Sequence, residues 1–72
     1  MSSVGTVQKW DRADGWGVIE SADTPGGCWT HFSTVEGEGF RELSVDDVVI
    51  FDWTTATNKD GHHFVATRVV RT

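Results

Sequence analysis

Little in this chain can hold it together except a core. Its one cysteine, Cys28, cannot close an internal disulfide, so nothing points to an oxidising compartment. No apolar run approaches the ~18 residues a membrane span needs. The opening Met1-Ser2-Ser3-Val4-Gly5-Thr6 lacks the charged and apolar regions of a signal peptide. Cations are also scarce: 6 Lys+Arg stand against 11 Asp+Glu, a formal net charge of −5. That balance argues against a polybasic partner of duplex DNA or of anionic membranes. At 72 residues the chain reads as one domain, 1–72, burying roughly 60% of its unfolded surface, and this rules out a two-domain enzyme with a deep cleft. The expectation is a soluble cytoplasmic protein.

What the chain does have is aromatic surface and glycine. Four Trp and four Phe occur with no Tyr, several of them beside glycines and polar residues. Helical periodicity is poor, because the 8 glycines interrupt every long window. The β-branched and apolar residues fall instead into five short runs: Val4 to Trp10, Trp16 to Ser21, Cys28 to Phe32, Val48 to Thr55 and His62 to Val70. Asp14-Gly15 marks a hairpin turn, and Ala22 to Gly27 reads as a loop where Pro25 fixes φ and Gly26-Gly27 permit positive values. Ser33 is placed to cap one helical turn over Thr34-Val35-Glu36, which Gly37 and Gly39 stop. Five strands in so short a chain must close on themselves to cover their edges.

Alternation assigns the faces. Asp52 between Phe51 and Trp53 sets Val49, Phe51 and Trp53 inward, with Val7 and Ile19 as partners. In the second run, Gly17 and Ile19 share the inner face, and Trp16 and Val18 the outer. In the third, Cys28 and Thr30 point inward, and Trp29 and His31 outward. If these two strands pair antiparallel, their outer faces merge into one aromatic patch, which a small protein has no reason to leave in water unless it is used.

Gly5-Thr6-Val7, Gly15-Trp16-Gly17-Val18-Ile19, Cys28-Trp29-Thr30-His31-Phe32-Ser33 and Gly39-Phe40 together resemble the bacterial cold-shock domain. That family carries K-G-F-G-F-I and V-F-V-H-F-S motifs on neighbouring strands. The similarity covers nearly the whole chain, clear to residue 53 and looser beyond. Asp23 to Trp29 looks like an acidic, actinobacterial-style branch. The resemblance implies an all-β, five-stranded antiparallel OB-type β-barrel that binds single-stranded RNA or DNA, with bases stacked on surface aromatics and no cofactor, metal, membrane or small-molecule substrate. Such stacking is sequence-tolerant, since every base has a π-face, and each stack contributes ~1–3 kcal/mol. By position, the implied contacts are Lys9, Trp10, Trp16, Val18, Trp29, His31, Phe32 and Phe40, with His63 and Phe64 as further candidates in the fifth strand. Phe32 departs from simple alternation and follows the family's placement on the binding side. A monomer is the expectation.

The departures from the pattern carry their own expectation. Lys9 stands at the family's first-strand Trp, Gln8 at its preceding Lys, Asp14 at the Lys opening the first motif, and Val18 at its second Phe. Two platforms and two cations are therefore missing, which predicts modest affinity and a shallow salt dependence. Glu36, Glu38, Glu42, Asp46 and Asp47 read as a solvated face, or as an electrostatic brake on phosphate binding. The competing function is a protein-interaction module, with the aromatic patch as its hot spot. An enzyme has no nucleophile and base set to support it. A zinc site from Cys28, His31 and His62-His63 is disfavoured, because residues three apart on a strand face opposite sides.

Overall fold

The five β-rich runs form five strands in the computed structural model, which describes residues 2–37, 42–59 and 61–71 (for 57–59 the backbone only). They are β1 (Ser2–Asp11), β2 (Trp16–Ser21), β3 (Thr24–His31), β4 (Val48–Lys59) and β5 (His62–Arg71). They close into a barrel in the order β1-β2-β3-β5-β4, with β4 returning to β1. Four of the five pairings are antiparallel; the seam between β3 and β5 is a short parallel pairing, Cys28 opposite Phe64 and Trp29 opposite Val65. Among the described residues each strand has a neighbour on both sides, which shields the sheet edges from another chain.

Alternation fills the barrel. Val7, Ile19, Cys28, Val49, Phe51, Ala66 and Val69 are buried from the strands, and Val35 and Leu43 plug the core from the connection between β3 and β4. Trp53 packs on this core and donates its indole Nε1–H to Ser3 Oγ at 2.9 Å, while Ser3 Oγ donates to Asp23 Oδ2 at 2.6 Å. One hydroxyl thus ties β1, β4 and the β2–β3 turn together.

Besides the parallel β3–β5 seam and a β4 that runs on from Thr55 to Lys59, the structure departs from the sequence expectation in three places that position the site. The loop expected over residues 22–27 shrinks to Ala22-Asp23, because Ser21 already pairs with Thr24. Pro25, Gly26 and Gly27 instead lie in an irregular start to β3, where Gly26 (φ 89°) and Gly27 (φ 98°) take the positive φ expected of them. The third strand ends at His31, and Phe32–Thr34 form a 3₁₀ turn capped by His31, not a turn over 34–36 capped by Ser33. Finally, β1 carries a bulge. Val7 pairs with Ile19, but Lys9 pairs with Val18, so Gln8 has no opposite number and the inside–outside phase of β1 flips beyond it.

Candidate nucleic-acid interface

Strands β2 and β3 build the outer aromatic face. Trp16 pairs with His31 and Val18 with Trp29, so all four side chains share one side of the sheet. The rings line up. Trp16 and Trp29 have centroids 6.3 Å apart at 13°, and Trp29 and His31 5.9 Å apart at 17°. Phe32 ends the row, 4.6 Å from His31 and tilted by 44°. It leaves the strand's alternation because the 3₁₀ turn begins there, and its backbone N–H donates to Gly15 O at 2.8 Å. Gly15, at φ 70°, clears the space for it: a Cβ there would lie 2.6 Å from Phe32 Cδ1. Phe32 remains 44% exposed, while Trp16, Trp29 and His31 are half-buried.

His31 is held from its inner edge. Nδ1 accepts the backbone N–H of Ser33 at 3.3 Å and lies 2.7 Å from Ser33 Oγ. In the neutral ring this leaves Nε2 carrying the proton, as a donor on the other edge.

The bulge at Gln8 decides where the two first-strand candidates go. Lys9, now in phase with Val18, faces outward and sets Nζ 4.8 Å from the Trp16 ring centroid. Trp10 pairs with Gly17 and turns to the other side, where it packs on the core. A Cβ on Gly17 would lie 2.4 Å from Trp10 Cε3 and 2.3 Å from Lys9 O, so only glycine fits beneath that indole without a shift. Trp10 Nε1 is buried with no hydrogen-bond partner among the described residues. The edge of Trp10, with Phe32, Arg12, Asp14 and Glu42, lines an open cleft of about 260 Å³ at the Phe32 end of the row.

The remaining candidates separate. Val18 is on the outer face as expected but only 6% exposed; it forms the floor between Lys9 and Trp29 and is not a stacking platform. Phe64 sits half-buried against the core and meets Trp53 edge-on at 5.3 Å. Its ring serves the barrel, not the row. His63 is exposed, two residues before Val65, which pairs with Trp29. His62 turns to Gly26, with Nδ1 3.2 Å from its carbonyl oxygen. Phe40 lies outside the described residues.

Two features were missed at the sequence level. The bulge had one signal: Val7 and Trp10, both core-facing, are three apart, which strict alternation forbids. The pairing of Arg12 with Glu42, N···O 2.9 Å, had none, since it joins residues 30 apart in the chain. Arg68 is likewise engaged, by Glu36 at 3.0 Å. Cys28 lies inside the barrel at 0% exposure and His31 on its outer face, which separates the two as possible ligands.

A family model described as the 'Cold-shock' DNA-binding domain matches residues 3–71. The major cold shock protein of Micrococcus luteus is 38% identical over 50 residues, which take in 69% of this chain and 75% of that protein. A cold shock-like protein of Aquifex aeolicus is 36% identical over 52 residues, 72% of this chain and 74% of that protein. Cold shock domain-containing protein 4 of Arabidopsis thaliana is 38% identical over 48 residues, 67% of this chain but 24% of that longer protein. Among solved structures, the chain is similar to "drosophila Unr CSD456", with a TM-score of 0.76 and 18% identity over all of this chain and 27% of that one, a likeness of fold. A model match across nearly the whole length, on a barrel with this outer aromatic face, places the chain in the cold-shock domain family of nucleic-acid-binding domains.

Proposed function

We propose that this chain binds single-stranded RNA or DNA by stacking bases along Trp16, Trp29, His31 and Phe32, and that it acts without catalysis, as a monomer in the cytoplasm. The observation that carries this reading is the unbroken row of four rings on one outer face. Base faces are available in a single strand and hidden in a duplex, so a stacking surface selects the former. A protein that binds only the single strand melts weak RNA structure by mass action, which is the action of an RNA chaperone. Lys9 supplies a charge beside the first ring, and His31 Nε2–H a donor to a base or phosphate oxygen. His63, exposed on β5 two residues before the Val65 that pairs with Trp29, is a further candidate contact. Trp10 contributes an edge to the terminal cleft.

Tryptophan fluorescence tests the reading. Short oligothymidylate or oligouridylate quenches the emission at low salt, and Trp29→Ala weakens binding by ~1–3 kcal/mol while the circular dichroism spectrum is unchanged. No quenching at high micromolar ligand overturns it. The protein-docking alternative has one observation of its own, the exposed cross-strand pair Val4 (63%) and Ile50 (42%) on β1 and β4. Self-association in sedimentation, indifferent to added oligonucleotide, is the result that favours it.

A further inference from the structure

The cleft at the end of the ring row has a cation on its rim, and that cation is already occupied. Arg12 Nε donates to Glu42 Oε1 at 2.9 Å, and both residues line the cleft that opens beside Phe32. Both ends of the pair are anchored. On the arginine side, Asp11 Oδ1 accepts the backbone N–H groups of Ala13 and Asp14 at 3.0 Å each, and Gly15 N–H donates to Asp11 O at 2.8 Å, which fixes the β1–β2 turn that carries Arg12. On the carboxylate side, Arg71 Nη1 donates to the Glu42 backbone carbonyl at 3.1 Å. The partners are nonetheless exposed, with 78% of the Arg12 side chain and 38% of the Glu42 side chain open to solvent. An ion pair of that kind is weak and exchanges readily for another anion.

We infer that Glu42 is the affinity-setting residue of the interface: its carboxylate holds Arg12 in the free protein, so that a backbone phosphate of the bound strand and Glu42 compete for one guanidinium. The inference rests on the strand-binding reading above. Arg12 and Phe32 line the same cleft, so a strand with a base on Phe32 would bring a phosphate within reach of Arg12. Engaging it costs the Arg12–Glu42 pair. The brake is local, and so differs from the general repulsion of a net charge of −5.

A double-mutant cycle tests it, with short oligothymidylate titrated at several salt concentrations. Glu42→Gln tightens binding about 3- to 10-fold at low salt and steepens the slope of log K against log salt by about 0.7, the increment for one further phosphate neutralised on a single strand. Arg12→Ala alone changes affinity less than 2-fold, because a paired guanidinium contributes little. In the Arg12→Ala background, Glu42→Gln loses its gain. An equal gain in both backgrounds overturns the inference, since Glu42 would then act as a distant charge. No gain in either also overturns it. If the unaltered protein fails to bind at all, the strand-binding reading fails first, and the two failures are distinct. Thermal melting of each variant checks that the barrel is intact.

Discussion

Cys28 shows how much one buried atom can fix. Burial pushes its thiol from 9.0 up to about 12, because the thiolate has no water to solvate it. The direction of the pH effect follows. Below pH 9 the thiol is protonated whether the chain is folded or not, and the group has no pH dependence. Between about 9 and 12 the unfolded chain releases the proton and the folded one keeps it, so stability falls as pH rises. The melting temperature is therefore expected to drop through that window, and Cys28→Val to flatten the drop; parallel curves for the two proteins would refute the assignment. This inward position was legible from alternation, as were the outward positions of Trp16, Trp29 and His31. Trp10 was not. Its residue type suits a ligand platform, and only the bulge one turn of the pleat earlier sends it inward. The position of Phe64 was not legible for a related reason: it depends on the parallel seam with β3, a pairing between distant segments that no local pattern announces.

At the scale of the element, the strands were readable as runs of β-branched and apolar residues, and their ends were not. Glycine and proline at 25–27 signal a loop in isolation, yet pairing of Ser21 with Thr24 draws them into β3. Tertiary hydrogen bonding overrides local turn chemistry there. The Ser3 hydroxyl is the clearest case of a single group holding elements together, since it accepts from Trp53 on β4 and donates to Asp23 in the β2–β3 turn. Ser3→Ala leaves the indole N–H of Trp53 and the carboxylate of Asp23 without that partner. The expected loss is ~1–3 kcal/mol in urea unfolding, and it shrinks when Trp53→Phe is already present. Additive losses would show that the contact carries no coupling.

For the whole molecule, charge and ring surface divide the work. Arg12 and Arg68 are each engaged by a carboxylate, and Lys9 sits over Trp16. Among the described residues these cations are already held by other groups, and a strand bound as proposed would draw little counterion release from them. Oligonucleotide affinity is therefore expected to fall with salt at a log–log slope no steeper than about −2, the value for roughly three phosphates on a single strand. Titrations across a salt series read that slope directly, and a value near −4 would mean that phosphate contacts dominate after all.

Closure of the barrel also sets the order in which the molecule can come into being. The β1–β2–β3 meander that carries the ring row is local in sequence, whereas Ser2 meets Asp52 across 50 residues of chain. Bringing such ends together costs roughly 3–4 kcal/mol of chain entropy before any contact across the seam repays it. The binding face can be sketched early by its own hairpins, but it has nothing to rest on until the distant strands arrive. The large sequence separation of these contacts belongs to a topology that folds slowly, and the ring face is supported from beneath only once β4 and β5 have paired.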